Sequence, residues 1–270
     1  MIEWLNEPRV MGILNATPDS FHASSRVNTI DEALAQARIM VKEGADMLDI
    51  GGQSTRPGAT EVSEEEELKR VLPVIQALRV EFPALLLSID TFYASVAERS
   101  VQQGVHLIND ISNGRFDKRI QQVALDAQIP YVLMHSRGDS KTMSQLTQYE
   151  NVVDEVFSFF ESELERLTRM GMKQIIIDLG FGFAKTSEQN FALMEQLDEF
   201  NTLGFPQLVG VSRKKMIQHL LEVSADDSLN GTTVLNTLAL TKGAKILRVH
   251  DVKEAVEAVK LVSQFTFSGQ

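Results

Sequence analysis

The segment Met47-Leu48-Asp49-Ile50-Gly51-Gly52-Gln53-Ser54-Thr55-Arg56-Pro57-Gly58 joins a short apolar run to a polar, glycine-containing loop. The apolar run predicts a buried strand, and the glycine pair lets the following backbone approach a ligand closely. Arg56, flanked by hydroxyl donors, suits a phosphate or a carboxylate. The same succession of apolar strand and abrupt polar loop recurs along the chain, and this repetition indicates the fold.

Eight units of this kind follow one another, each a predicted strand and a predicted helix. The strands are predicted at 9–15, 47–50, 85–90, 106–111, 130–135, 174–178, 207–214 and 245–251. The helices are predicted at 31–42, 61–79, 94–103, 119–127, 151–170, 188–200, 229–242 and 252–264, with a mobile loop at 136–149. Eight alternating units in 270 residues predict an α/β protein, a (β/α)8 TIM barrel in a single domain spanning residues 1–270. A doubly wound open sheet is the alternative.

The composition excludes several classes of function. The chain has no cysteine, so disulfides, thiolate metal sites and cysteine nucleophiles are excluded. A net charge of −11 argues against a general binder of nucleic acid or anionic membranes, which needs a basic field. The N-terminus lacks a secretion signal, and no apolar run approaches the roughly 18 residues of a membrane span. We therefore expect a cytoplasmic protein that holds any anionic ligand by local positive charge.

Polar residues end nearly every predicted strand, where the active site of a parallel barrel lies. They are Asn15, Asp49, Asp90, Asn109, Asp110, His135, Asp178, Lys214, Arg248 and His250. Taken singly, each has a structural interpretation. Asp49 and Asp110 could cap loops, Asp90 could cap a helix, and His135 could be a buried structural histidine. A shared ligand site explains their coincidence across the units better.

These residues divide into two chemical groups. The acidic and amide-bearing group suits the N–H donors of a ring edge, as in a pterin or purine, and consists of Asp90, Asn109 and Asp178. The cationic group suits a phosphate or pyrophosphate and consists of Arg56, Lys214, Arg248 and His250, joined by Asn15. A heterocycle linked to a pyrophosphate would span both groups. The sequence contains no Walker loop, HExxH motif or Ser-His-Asp motif.

Seven motifs occur in order between about residues 9 and 260. They are 11–21 (MGILNATPDSF), 49–58 (DIGGQSTRPG), 88–91 (SIDT), 108–110 (IND), 133–135 (LMH), 211–214 (VSRK) and 248–251 (RVHD). Together they resemble the signatures of the dihydropteroate synthase family. The resemblance implies a (β/α)8 transferase of folate biosynthesis that joins 6-hydroxymethyl-7,8-dihydropterin pyrophosphate to 4-aminobenzoate. The products would be 7,8-dihydropteroate and pyrophosphate, formed through a pterin methylene cation, and sulfonamides would compete with aminobenzoate.

The resemblance also implies a role for individual residues. The pterin would be held by Asp90, Asn109, Asp178, Lys214, Met134, Phe183 and Gly210. Pyrophosphate and aminobenzoate would be held by Thr55, Arg56, Ser212, Arg248 and His250. The reaction itself would depend on Asp90, Lys214, Arg56 and Asn15, with Asn15 next to Mg²⁺. A homodimer formed through barrel helices is a further implication, and the apolar faces 234–238 and 256–259 are compatible with it.

The chain departs from the family pattern at four places. The run His22-Ala23-Ser24-Ser25 replaces a Ser-Asp-Gly-Gly-like run, Gln53 replaces Glu, Leu179 replaces Pro, and Ser136 stands where Met is common. Two alternatives therefore remain open. One is a pterin-dependent methyltransferase domain, which would need a corrinoid partner but no arginine loop or pyrophosphate site. The other is a non-catalytic paralogue that binds a pterin.

Overall fold

A computed structural model describes residues 2–16, 26–53 and 62–265 of the chain. Eight parallel strands form a closed barrel in chain order, and the last strand pairs with the first. They are β1 (Arg9–Asn15), β2 (Met47–Gly51), β3 (Leu86–Asp90), β4 (Leu107–Asp110), β5 (Tyr131–Met134), β6 (Ile175–Asp178), β7 (Gln207–Val209) and β8 (Ile246–Val249). The closed barrel confirms the (β/α)8 prediction, and the open-sheet alternative was wrong because the sheet has no free edge.

The α-helices of the described ranges surround the barrel. They are α1 (Arg26–Glu43), α2 (Glu64–Glu81), α3 (Ala94–Gln102), α4 (Arg119–Ala127), α5 (Val152–Arg169), α6 (Ser187–Glu195), α7 (Lys215–Leu221), α8 (Leu229–Thr241) and α9 (Val252–Val262). Short 3₁₀ helices occupy Glu3–Leu5, Met143–Gln145, Leu197–Leu203 and Asp226–Ser228. None of the helices in the described part of the chain is long and apolar enough to cross a membrane.

The seventh unit differs from its prediction. The predicted strand 207–214 was too long, since β7 ends at Val209 and Lys214 is the N-cap of α7, a helix that was not predicted. Val211 is as completely buried as Val209, so the apolar pattern continues beyond the point where strand pairing stops. Arg213 has a left-handed backbone with φ of 54°, which turns the chain into the helix.

Side-chain caps fix where helices begin. The side chain of Ser63 accepts from the backbone N–H of Glu66 at 3.3 Å at the start of α2. Thr186 and Gln189 form a reciprocal capping box at the start of α6. This second cap defines the end of the loop that follows β6, which borders the candidate site.

The barrel interior is filled by an apolar cluster at the N-terminal ends of the strands. Seven strands contribute one residue each, namely Met11, Met47, Leu107, Val132, Ile176, Leu208 and Ile246. Ile2 and Leu5, from the segment before β1, are buried in the same cluster and close this end. Because side chains alternate along a strand, the residues two positions further on point into the barrel as well. On five strands these are Asp49, Asn109, Met134, Asp178 and Arg248, and the corresponding residue just after β7 is Gly210.

The polar stretch 136–149 contains the 3₁₀ helix Met143–Gln145, whose Met143 is buried. The carboxylate of Asp139 accepts from the backbone N–H groups of Lys141 and Thr142 at 2.9 and 2.8 Å. Arg137 joins the stretch to α5 through Glu155 at 2.6 Å. The stretch therefore has local structure, while its mobility stays a prediction.

Candidate active site

Arg248 on β8 lies at the centre of the polar end of the barrel and bridges two buried carboxylates. Its Nε donates to Oδ2 of Asp49 at 2.7 Å, and its Nη2 donates to Oδ2 of Asp90 at 2.7 Å. The amide of Asn109 donates to the same Asp49 oxygen at 2.9 Å. Residues from β2, β3, β4 and β8 thus form one network, although Arg248 and Asp49 are 199 positions apart in the chain.

Burial and ion pairing set the charges of this network. Burial raises the pKa of Asp90 to about 7; Arg248 opposes that rise and Asp49 adds to it. Burial alone would lower the pKa of Arg248, but Asp49 and Asp90 outweigh it, so that pKa is raised. The guanidinium therefore stays charged, and Asp90 can change its protonation state near neutral pH.

Three buried oxygens of the network have no hydrogen-bond partner among the described residues. They are Oδ1 of Asp49, Oδ1 of Asp90 and Oδ1 of Asn109. A buried acceptor without a partner costs about 1–3 kcal/mol. A ligand with a row of N–H donors would satisfy these oxygens.

Asp178 and Lys214 form the opposite side of the site. Oδ1 of Asp178 accepts from the N–H of Gly180 at 2.8 Å. Burial raises the pKa of Asp178, and the charge of Lys214 opposes that rise. Burial likewise lowers the pKa of Lys214 to about 8. The ammonium of Lys214 donates to the carbonyl of Phe181 and lies 4.9 Å from the ring centroid of Phe183.

Met134 and Phe183 are the apolar side chains among the predicted pterin residues. Met134 is buried and pairs with Asp178 in the register of β5 and β6. A cavity beside Phe183 is lined by side chains from the loops after β2, β4 and β5, including Gln53, Ile111 and Met143. Phe183 is the predicted pterin residue that lines this cavity.

Ser212 and His250 form a further pair. Oγ of Ser212 lies 3.0 Å from Nδ1 of His250 and accepts from the backbone N–H of His250 at 3.2 Å. The pair lies just before α9, whose N-terminus favours negative charge. Gly210 leaves space next to Arg248, because a Cβ at this position would lie 3.7 Å from Cβ of Arg248.

Asn15 belongs to the same mouth. A Cβ at Gly51 would lie 3.7 Å from Oδ1 of Asn15 and 3.8 Å from Oδ2 of Asp90, so both side chains flank this glycine. The described residues contain no group of three or more His, Asp or Glu side chains that could hold a metal ion. An ion at Asn15 would therefore need a ligand that brings its own oxygens.

The structure thus brings the predicted site residues of its described ranges to one end of the barrel. Thr55 and Arg56 lie outside the described residues. The predicted separation into an acidic and a cationic group does not hold for Arg248, which is ion-paired with Asp49 and Asp90. The reason is the barrel closure, which brings β8 next to β1 and across from β2 and β3.

Two buried residues were not assigned a role in the predicted site. For Asp49 a loop cap and a shared ligand site were both open, and its contacts with Arg248 and Asn109 favour the second. Lys185, after β6, is buried against His135 and was not singled out; no local pattern marks it. The structural interpretation of Asp110 is correct, because its carboxylate accepts from the N–H groups of Ser112 and Gly114 at 2.7 Å each.

Known proteins match this chain in sequence and in fold. Residues 11–250 match the family described as pterin binding enzymes, so the barrel and its polar mouth define an enzyme of the pterin-binding class. The chain is 44% identical to the dihydropteroate synthase of Synechocystis sp., over 97% of this chain and 91% of that protein. The chain belongs to the dihydropteroate synthase family and is a transferase of that type.

Two solved structures are similar over nearly the whole chain. The Yersinia pestis dihydropteroate synthase with a sulfonamide drug complex has a TM-score of 0.90 and 42% identity, over 96% of this chain and 94% of that chain. The Xanthomonas albilineans dihydropteroate synthase with 4-aminobenzoic acid has a TM-score of 0.89 and 40% identity, over 96% and 93% of the two chains.

Proposed function

We propose that this chain condenses 6-hydroxymethyl-7,8-dihydropterin pyrophosphate with 4-aminobenzoate to give 7,8-dihydropteroate and pyrophosphate. The observation that carries the proposal is the convergence of buried hydrogen-bond acceptors and cations at one mouth of the barrel. The 4-aminobenzoic acid and the sulfonamide in the two similar structures support it. We also infer that sulfonamides inhibit this chain by competing with aminobenzoate.

The pterin ring would lie between Met134 and Phe183. Its N–H donors would meet the buried oxygens of Asp90 and Asn109 and the carboxylate of Asp178, which satisfies acceptors that are otherwise unpaired. Lys214 would donate to the ring from the side of Phe183. Gly210 would let the ring approach Arg248, since this position has no side chain to occupy the space.

The pyrophosphate would lie at Ser212 and His250, where the N-terminus of α9 adds backbone donors. Arg248 would contribute a charge that two carboxylates already share, so the leaving anion would compete with Asp49 and Asp90 for the guanidinium. Thr55 and Arg56 would complete the anion and aminobenzoate sites, a proposal that rests on the sequence alone.

Mg²⁺ fits this arrangement as an ion shared with the substrate. Mg²⁺ is commonly held by one or two protein oxygens together with phosphate oxygens and water. Asn15 provides an amide oxygen close to Asp90, as required for such a site. When bound, the ion would neutralise the charge that collects on the pyrophosphate.

The reaction would proceed by ionisation of a carbon–oxygen bond. The bond between the pterin methylene carbon and the pyrophosphate oxygen breaks, and its electron pair leaves with the pyrophosphate. The aminobenzoate nitrogen then attacks the methylene cation and loses a proton to solvent. Asp90 would stabilise the cation, and the cationic residues would stabilise the leaving group. Exclusion of water favours the amine as nucleophile.

We further propose a homodimer in the cytoplasm. Val234 and Leu238 on α8 and Leu261 on α9 are large apolar side chains that are exposed on the single chain. Burial of such side chains is favourable in a dimer interface. Sedimentation equilibrium of the wild type and of Leu238→Glu tests this proposal. A wild-type monomer at micromolar concentration would contradict it.

Turnover is the direct test of the proposed reaction. The purified chain is incubated with the pterin pyrophosphate, 4-aminobenzoate and Mg²⁺, and pyrophosphate and dihydropteroate are both quantified. We expect equimolar products that disappear when aminobenzoate or Mg²⁺ is omitted. Pterin binding without product would instead identify a non-catalytic paralogue. Methyl transfer in the presence of a corrinoid protein would identify a methyltransferase domain.

A further inference from the structure

Lys185 is a buried lysine next to the site that the proposed reaction does not use. Its Nζ lies 3.0 Å from the carbonyl oxygen of Gly180, 3.1 Å from that of Phe183 and 3.4 Å from that of His135. Nδ1 of His135 lies 3.0 Å away. No carboxylate forms an ion pair with Lys185 in the described ranges. The ammonium is therefore enclosed by backbone carbonyls and one imidazole.

Burial of an ammonium group costs free energy unless hydrogen bonds replace its hydration. Burial lowers the pKa of Lys185 to about 7. Burial, with the charge of Lys185, also lowers the pKa of His135 to about 2, so the imidazole is neutral and can accept a hydrogen bond. The imidazole is itself fixed by the edge-on ring of Phe159, with centroids 4.9 Å apart. Lys185 thus connects the chain after β6 to a rigid position after β5.

The segment that Lys185 holds, residues 179–184, will be called the β6–α6 loop. This loop supplies the N–H of Gly180 to Asp178 and the carbonyl of Phe181 to Lys214. It also carries the ring of Phe183, over which the Lys214 ammonium lies. One loop therefore positions two charged residues of the site.

The backbone of the β6–α6 loop is unfavourable without restraints. Gly180, Gly182 and Ala184 have φ of 68°, 77° and 50°, and for alanine this left-handed region is disfavoured. A Cβ at Gly180 would collide with the carbonyl oxygen of His135, which shows how closely the loop approaches β5. The hydrogen bonds of Lys185 to two loop carbonyls oppose relaxation of this conformation.

We propose that Lys185 is a positioning residue that fixes the β6–α6 loop, so that Asp178 and Lys214 stay where the pterin ring binds. The inference rests on the proposed function, because it takes Asp178 and Lys214 to be pterin ligands. Lys185 itself does not touch the substrate. Its effect passes through the loop carbonyls to the two ligands.

Lys185→Met tests this role, because it keeps the length of the side chain and removes the donors. We expect the dissociation constant of the pterin substrate, measured by calorimetry, to rise about tenfold, as for a lost hydrogen bond. The KM for 4-aminobenzoate should change less than twofold. Lys185→Gln, which keeps a donor, should give an intermediate loss.

The pH dependence of pterin binding separates positioning from a purely structural role. Burial raises the pKa of Asp178. That rise is opposed by Lys214, by the N–H of Gly180, by Arg248 and, most weakly, by Lys185. Removal of Lys185 should therefore raise this pKa further. We expect the pH below which pterin affinity falls to move upward in Lys185→Met, a shift that general destabilisation would not cause.

Hydrogen exchange gives a readout that is independent of activity. Peptides covering the β6–α6 loop should exchange faster in Lys185→Met than in the wild type. Lys242→Met is the matched control, since its ammonium also bonds a backbone carbonyl, that of Glu195 at 2.7 Å, and pairs with Asp198 at 2.7 Å. The control should leave exchange in the loop and pterin affinity unchanged.

The outcomes are distinguishable. The positioning role would be overturned if Lys185→Met matched an active wild type within twofold in pterin affinity and in hydrogen exchange of the loop, with no change in the pH at which pterin affinity falls. The same holds if affinity for both substrates falls equally with the folded fraction. If Lys185→Met does not fold, Lys185→Gln provides the test. An unchanged pterin affinity in that variant would overturn the positioning role. A wild type that neither binds pterin nor turns over would overturn the proposed function instead.

Discussion

At the N-terminal end of the barrel, Met47, Leu107 and Ile246 fill the interior together with Ile2 and Leu5. Two residues further along, the same three strands place Asp49, Asn109 and Arg248 in the interior of the other end. The apolar end gains stability from burial. The polar end loses stability, because its buried acceptors and charges are only partly paired. The comparison shows that burial of apolar side chains at one end of the barrel offsets the cost of the buried polar groups at the other end.

Loss of Arg248, the cation at the centre of the polar end, should have the largest effect on stability and activity. Arg248→Met would leave two buried carboxylates without a counter-charge, a change that typically costs about 3–5 kcal/mol. We expect at least a thousandfold loss of kcat/KM together with a lower urea midpoint. Arg9→Met is the matched control, because Arg9 pairs with Asp46 at 2.8 Å at the apolar end and is partly exposed. It should cost about 1 kcal/mol or less and spare activity. Equal losses in both variants would contradict the comparison.

The pH dependence of stability measures the cost of burying the charged form of Asp90 at the polar end. Burial raises the pKa of Asp90 to about 7, whereas the unfolded chain has an ordinary carboxyl near 4. Between these values the folded state binds more protons, so Asp90 makes stability fall as pH rises and has a constant effect above pH 7.

Asp90→Asn removes this contribution. Its free energy of unfolding relative to wild type should rise by up to about 4 kcal/mol from pH 4 to pH 7 and then remain level. Urea unfolding of both proteins across this range measures the difference. A difference that falls with pH would show that Asp90 is stabilised as a carboxylate in the folded chain.

A cavity at the apolar end should lower stability while leaving activity nearly unchanged. Ile176→Ala removes a completely buried side chain and should destabilise the fold by about 3 kcal/mol. Because the change is confined to the apolar cluster and removes no polar group of the mouth, kcat/KM should stay within about twofold at a temperature where the variant is folded. Ile176→Val, with a smaller cavity, should cost about 1 kcal/mol. A loss of activity larger than the loss of folded protein would break the comparison.

The most local of these changes alters a single pterin contact. Asp178→Asn replaces a carboxylate that accepts from ring N–H groups by an amide that is half donor. We expect pterin affinity to fall about 10–100-fold, equivalent to about 1.4–2.8 kcal/mol. Aminobenzoate KM and stability should be nearly unchanged. Calorimetric titration with the pterin substrate measures this loss, and an unaltered dissociation constant would remove Asp178 from the site.

The polar ends of individual strands could be predicted because that information is local. Asp90 and Asp178 each close a run of apolar residues, and such a run ends where a strand meets its loop. The end of β7 could not be predicted in this way. Val211 remains buried after strand pairing has stopped, so hydrophobicity alone does not distinguish strand from buried loop.

The sequence by itself determined the eight strand-and-helix units and the residues at the mouth, because the period of an apolar pattern depends only on neighbouring residues. Only the tertiary structure decided that Arg248 pairs with Asp49 and Asp90, and that Lys185 is enclosed by carbonyls beside His135. The first of these contacts depends on barrel closure, and the second on how the loop after β6 packs against the residue that follows β5. No local periodicity encodes them, since an ion pair in a closed barrel is chosen by geometry across the interior.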